Sequence, residues 1–383
     1  MDRTIFEDEH NWFRESVKTF VDREIMPNRE KIREQRIIDR EIWLKAGEAG
    51  FLGLGVPSEY GGSGTDDFRF NAVFGEELAR AGVAFGSSFG IQTDIVAPYL
   101  IDLATDEQKQ RWMPKFCTGE YISAIGMTEP NAGSDLAAIK TTAKRDGEGW
   151  VVNGSKTFIT NGYQADLVVT AARTEDGISL FMIEEGMPGF NRGRKLEKIG
   201  QHEADTAELF FEDVAVPPEN LLGELNKGFV HMMERLAQER LSSAVGAVGH
   251  SRHALDITLE YAKEREAFGR PIGSFQHNRF KLAEMVTELD VAQVYVDHCI
   301  QSHVDKKLTA VDAAKAKWWC TDLQGRVLDQ CLQLHGGYGF MEEYDVARGW
   351  ADARIQRIWA GTNEIMKEII GRSLGFGDPR PKK

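Results

Sequence analysis

Apolar and charged positions alternate at helical spacing over residues 5–33, with Phe6, Phe13, Val17, Phe20, Val21 and Ile25 marking the stripe. That period predicts one long amphipathic helix, kinked where Pro27 lacks an amide donor. After residues 50–55, which alternate Gly with large apolar side chains, Pro57 and the Gly61-Gly62 pair mark a loop. The helical period returns over about 66–81, 84–103 and 106–117. From Tyr121 it gives way to short β-type runs at 121–127, 167–170, 178–183 and 207–211, separated by Gly-containing turns. Residues 149–162 read as two short strands joined by an Asn153-Gly154 hairpin turn. Many short strands in one block suit a small β-barrel or sandwich. From Asn226 onward long helical stretches follow at about 226–265, 275–304 and 309–335, with shorter ones near 341–354 and 361–373. The expected fold is therefore α+β and mainly α. It has an N-terminal helical domain (1–120), a middle β domain (121–225), a C-terminal helical domain (226–375) and a polar tail (376–383).

Composition narrows the function classes. At 383 residues, with 42% hydrophobic and 28% charged residues, the chain can hold two or three domains around a sizeable core. A net charge of −14 argues against a nucleic-acid partner and against docking on anionic lipid. Cys117, Cys299, Cys320 and Cys331 show neither CxxC nor zinc-ligand spacing, so no metal site is expected and the thiols read as reduced. The start Met1-Asp2-Arg3-Thr4 has no apolar signal core or Arg-rich leader, and no window reaches 18 apolar residues. The expectation is a cytoplasmic protein, with a mature organellar form as the alternative, and without a membrane span.

Candidate chemistry begins where the first strand ends. Residues 125–135 pack Thr128, a Glu-Pro pair, Gly133, Ser134 and Asp135 behind an apolar run. Such a loop offers hydroxyls and backbone N–H groups, and Gly133 removes the Cβ that would keep a ligand away. An ordinary polar hairpin turn is the alternative reading of these residues alone. Met-Thr-Glu-Pro followed at this distance by Lys156-Thr-Phe-Ile-Thr-Asn-Gly162 closely resembles the acyl-CoA dehydrogenase family. The resemblance covers nearly the whole chain. It implies a β-barrel between two helical domains, the last built as a four-helix bundle, and FAD as cofactor. Carried over by position, Ile125, Met127, Thr128, Gly133 and Ser134 would meet the flavin, with Ser134 also touching CoA. Phe158, Ile159 and Thr160 would back the ring, Phe158 standing where many members carry Trp.

Two further segments continue the resemblance. Arg265-x-x-Phe268-Gly269, with Phe275 and Gln276, would reach the pyrophosphate and adenine side of an FAD bound mainly by a neighbouring subunit, a task that suits a bidentate guanidinium. Gln333, Gly336 and Gly337 belong to a Gln-Leu-His-Gly-Gly-Tyr-Gly-Phe segment whose glycines end a helix and offer backbone N–H groups to the cofactor. His335 within it is read as structural. The resemblance also implies a homotetramer in which each FAD is shared between subunits.

The segment Trp359-Ala360-Gly361-Thr362-Asn363-Glu364 departs from the common pattern. Many family members carry the catalytic Glu immediately before Gly-Thr, and here Ala360 stands there. Long-chain and isovaleryl-CoA dehydrogenases place the base on an earlier helix, where this chain has Gln238-Glu239-Arg240-Leu241. Met232, Leu236 and Ser243 share the helical face of Glu239, so that carboxyl is expected to be buried and more basic. Ala237, Arg240, Ala360 and Gly361 are the expected substrate contacts beside Ser134, and Thr362, Asn363 and Glu364 would line the flavin. The reaction implied is α,β-dehydrogenation of an acyl-CoA to its trans-2-enoyl-CoA. The resemblance implies an electron-transferring flavoprotein as acceptor; no nicotinamide motif of the G-x-G-x-x-G type follows a strand. An oxidase-like or secondary-metabolic flavoenzyme of the same fold, or an inactive acyl-CoA-binding scaffold, remains the alternative. The motifs resemble the long-chain enzymes most, but no rule links these residues to a carbon number.

Overall fold

In the computed structural model, which describes residues 3–377, helices precede and follow a block of strands. Met1 and most of the expected polar tail lie outside the described residues. α1 (Asp8–Phe20) buries Val17 and Phe20 in an N-terminal core. The single helix expected over 5–33 is broken: a π segment at Val21–Ile25 and a 3₁₀ turn at Met26–Asn28 separate α1 from α2 (Arg29–Gln35). Pro27 cannot donate to the Arg23 carbonyl four residues back, and beside it the Asn28 side chain donates to the Glu24 carbonyl at 2.9 Å. α3 (Arg40–Glu48), α4 (Phe68–Ala81) and α5 (Val83–Gly90) follow.

The helix expected over 84–103 is likewise three pieces, because a π segment at Ile91–Val96 joins α5 to α6 (Ala97–Leu103). Pro98 leaves the Asp94 carbonyl, four residues back, without its helical donor. Gln238 supplies that donor from the C-terminal domain at 2.7 Å. α7 (Asp106–Thr118) starts with a reciprocal cap: Thr105 accepts from the Gln108 amide while the Gln108 side chain accepts from the Thr105 amide.

The strands are β1 (Ser123–Gly126), β2 (Thr142–Asp146), β3 (Gly149–Thr160), β4 (Leu167–Arg173), β5 (Ile178–Glu184), β6 (Phe190–Lys195), β7 (Thr206–Val216) and β8 (Leu221–Leu222). They form one sheet in the order β6-β7-β3-β2-β4-β5-β8, with β1 added parallel to β4. The expected barrel is not closed. β2 meets β4 through the single pair Thr142–Arg173, and the ends of the sheet do not join. The two halves instead press side chains together, Trp150 edge-on to Phe181 at 5.2 Å within a shared core. Apolar packing replaces the missing ladder.

Asn153-Gly154 is not a hairpin turn either; it lies inside the twelve-residue β3. Gly154, at φ +147°, sits where the pairing with β7 shifts register, and a Cβ there would come within 2.5 Å of the Thr141 hydroxyl. The Asn153 side chain is used across the bulge, donating to Asp213 Oδ1 and accepting from the Asp213 amide, both at 2.9 Å. The real β2–β3 turn carries Gly147 at φ +58°.

The C-terminal helices are α8 (Gly228–Glu264), α9 (Gln276–Val304), α10 (Ala310–His335), α11 (Asp345–Ala353) and α12 (Asn363–Ser373). α8, α9 and α10 share one core with α4, through residues such as Phe68, Leu241, Val248, Leu289, Leu323 and Leu328. None of the described helices is long and apolar enough to cross a membrane.

Candidate active site

α8 carries Glu239 on a face with Met232 and Leu236, as the apolar spacing requires, and the residue is only 7% exposed. Burial pushes its pKa up to about 7, although the charges of Arg240 and Arg235 oppose the shift. Tyr99 projects from α6 and is itself fully buried. Neither the Tyr99 hydroxyl nor Glu239 Oε1 has a hydrogen-bond partner among the described residues. One turn earlier Arg235 donates to Asp102 at 2.9 Å and lies over the Tyr99 ring at 5.0 Å, which fixes that ring beside the carboxyl. A buried carboxyl with an unused oxygen is poised to take a proton.

The segment before α12 closes over this turn of α8. Ala360 and Gly361 both have left-handed backbones, φ +50° and +85°, and neither donates a backbone hydrogen bond to another described residue. Arg240, nearly buried and with its Nε unpartnered, lies next to Gly361: a Cβ there would meet Arg240 Nη2 at 3.9 Å. Ala237 is half-buried one turn away. Thr362 caps α12 by accepting from the Ile365 amide. The Asn363 side chain is consumed inside the protein by Thr321, Asp322 and Lys317, so it offers a ligand only backbone. Glu364 is exposed, and its own amide and the Thr362 hydroxyl hold its pKa below the usual value. As a base it is the weaker candidate.

β1 delivers the strand-end loop to the same region: Ile125 and Met127 pack in one core with Tyr99 and Met232. Gln92 ties the π segment to β1 by accepting from the Ser123 amide and hydroxyl. Beneath the loop Lys156, fully buried, donates to Glu129 at 2.8 Å and to the Met127 carbonyl at 3.2 Å. Glu129 also accepts from the Lys140 and Thr141 amides, and these bonds and Lys156 outweigh burial to hold its pKa low. The sequence reading missed this pair, although a Lys at an inward position of an otherwise apolar strand signals it.

The residues fit a flat heteroaromatic ring. Phe158 is 69% exposed between buried Thr157 and Ile159, held outward at φ +60°. The Thr157 amide donates to the Thr128 carbonyl at 3.0 Å, which sets Phe158 against the loop. Thr160 is half-buried, and Gly133 and Ser134 are exposed. A Cβ on Gly133 would meet nothing within 4 Å, so the fold does not itself demand glycine there; close approach of a ligand is the remaining reason.

The other expected cofactor residues assemble elsewhere. Arg265 caps the far end of α8, about 40 Å along the helix from Glu239 at 1.5 Å per residue. Its guanidinium lies 5.7 Å from the Tyr338 ring centre, which brings the Arg265 loop to Gln333, Gly336 and Gly337 at the end of α10. Phe268 is 96% exposed, Gln276 is exposed, and Phe275 packs under Arg270. His335 is buried, stacks on Tyr261 at 4.1 Å and bonds the Cys331 carbonyl through Nδ1, which is a structural use.

Comparison with known proteins matches three successive family models: acyl-CoA dehydrogenase N-terminal domain over residues 7–120, middle domain over 124–214 and C-terminal domain over 226–375. The mitochondrial long-chain specific acyl-CoA dehydrogenase of Sus scrofa is 46% identical over 379 residues, 97% of this chain and 88% of the relative. The crystal structure of acyl-CoA dehydrogenase from Geobacillus kaustophilus superposes with a TM-score of 0.95 at 47% identity, covering 97% of this chain and 100% of that one. A structure described as the electron transferring flavoprotein of Acidaminococcus fermentans contains a chain matched with a TM-score of 0.93 at 37% identity, over 98% and 99% of the two chains. The chain belongs to the acyl-CoA dehydrogenase family.

Proposed function

We propose that this FAD-dependent acyl-CoA dehydrogenase uses Glu239 as its base, on a long-chain acyl-CoA, and yields the trans-2-enoyl-CoA. The observation that carries the assignment is the buried carboxyl, with one free oxygen and a pKa near 7, opposite a segment where Ala360 has no acid to offer. The Glu239 carboxylate takes the α-proton, and the C–H electron pair becomes the new Cα=Cβ bond as the β-hydrogen leaves with its electrons. FAD, when bound, is the hydride acceptor. Negative charge develops on the thioester oxygen, and the free N–H groups of Ala360 and Gly361 are the chain's donors for it. Phe158, Met127 and Thr128 supply the wall for the ring, and burial around Tyr99 keeps water from the carboxyl.

The separation of the two patches along α8 exceeds the length of one extended FAD. Arg265 and the end of α10 therefore serve a cofactor held at another subunit's Glu239, and a homotetramer satisfies both patches in every copy. The electron-transferring flavoprotein is the proposed acceptor, supported by the family and by the Acidaminococcus match. Four buried, unpaired cysteines support a reducing compartment such as the cytoplasm.

The test is anaerobic mixing with straight and branched acyl-CoAs, followed by flavin absorbance. Glu239→Gln should keep FAD and acyl-CoA binding but slow bleaching by roughly 10²–10⁴-fold. Unchanged bleaching would transfer the role to Glu364.

A further inference from the structure

Lys317 lies on the inward face of α10 with Ala313, Ala314, Ala316 and Cys320, and none of its side chain reaches solvent. It has no carboxylate within ion-pair distance among the described residues. Its ammonium donates to two neutral acceptors, the Gly361 carbonyl at 2.7 Å and Asn363 Oδ1 at 2.9 Å. A buried cation is a costly way to satisfy neutral acceptors, since an apolar residue of the same volume would fit the core without desolvating a charge. What the cation does hold is the turn that carries two successive left-handed residues and two unused N–H groups beside Arg240 and Glu239. Asn363 completes the clamp: its amide donates to Thr321 and Asp322 of α10, so the start of α12 cannot slide along that helix.

We propose that Lys317 is a positioning residue for the dehydrogenation, a buried ammonium that clamps the Ala360–Gly361 turn in the strained geometry that meets the thioester. The inference rests on the reading of Glu239 as base and of the turn as the thioester's seat. The bonds from a charged donor are about twice as strong as those from a neutral one, so loss of the Lys317 proton loosens the turn even where the amine stays in place. Burial and the like charge of Arg240 on α8 bring that proton's pKa down to about 7, against the attraction of Asp322 on α10 and Glu364 on α12. The rate of substrate bleaching is then expected to rise with pH as Glu239 ionises and to fall as Lys317 becomes neutral.

The experiment compares holoenzyme carrying Lys317→Met with wild type between pH 5.5 and 9. The expected result is bleaching slowed roughly 10–100-fold at saturating acyl-CoA, with the acyl-CoA dissociation constant within about 3-fold of wild type. The alkaline limb should vanish, and amide exchange over residues 358–366 should accelerate. A lysine that merely supported the fold would lower the rate evenly and leave the shape of the pH profile alone; that outcome, or an unchanged rate, overturns the proposal. If Lys317→Met fails to fold, Lys317→Gln keeps a donor near Gly361 without the charge and must likewise lose the limb. A wild-type profile that stays flat to pH 9 overturns the proposal without any variant. Failure of the base assignment reads differently, as a surviving acidic limb in Glu239→Gln.

Discussion

Glu239→Gln should stabilise the protein while disabling it, and the gain should depend on pH. The carboxyl's pKa is 4.5 for a free glutamate and about 7 in the folded chain. A folded-state pKa above the unfolded one means that the native protein binds the extra proton between these values, so stability falls as pH rises through that window. Above pH 7 the ionised carboxylate is a fixed burden of about 3 kcal/mol, from roughly 2.5 pK units at 1.36 kcal/mol each. Glutamine never ionises, and its amide can donate to the partnerless Tyr99 hydroxyl. Relative to wild type, the variant should gain about 1 kcal/mol at pH 5.5 and about 3 kcal/mol at pH 8, from the same linkage relation. For a chain of this size that is a Tm difference of a few degrees, growing with pH. Thermal unfolding of both proteins, followed by far-UV circular dichroism at saturating FAD and at the two pH values, measures it. A Tm difference that is equal at pH 5.5 and pH 8 would refute the buried, proton-binding carboxyl and the reasoning that makes Glu239 the base.

Adding Ala360→Glu to Glu239→Gln should restore part of the bleaching rate, because the turn lies beside the same stretch of α8; no recovery in stopped-flow traces would show that the two positions do not address one α-carbon. Arg265→Glu should weaken FAD retention by placing like charge beside the pyrophosphate, and full flavin occupancy after gel filtration, or a monomer of the wild type by light scattering, counts against the shared site. Lys156→Met leaves Glu129 charged and buried without its cation, and should cost about 3–5 kcal/mol in denaturant unfolding; a loss below about 1 kcal/mol would mean that the Lys140 and Thr141 amides suffice to hold it.

Periodicity carried the helices well where burial alone decides them: α8, α9 and α10 begin and end within a few residues of their apolar stripes. It failed where a local signal met a tertiary contact. Asn153-Gly154 is a strong hairpin dipeptide, yet continuous pairing of β3 with β7 turns it into a bulge, because Asp213 on the neighbouring strand satisfies the Asn side chain. Each π segment is followed within two residues by a proline, and a side chain bonds a carbonyl of the segment, Asn28 that of Glu24 and Gln238, from the distant α8, that of Asp94, contacts that no helical period reveals. Closure of the sheet was equally hidden, for alternating strands specify faces but not whether the last strand meets the first. Glu239 was legible because its apolar face is local, whereas Lys317 required knowing that α10 faces the turn before α12. The two cofactor patches show the same division. Each was readable as a motif, but only the length of α8 sets them about 40 Å apart, and that distance, rather than either motif, is what supports the proposed site completed by a second copy of the chain.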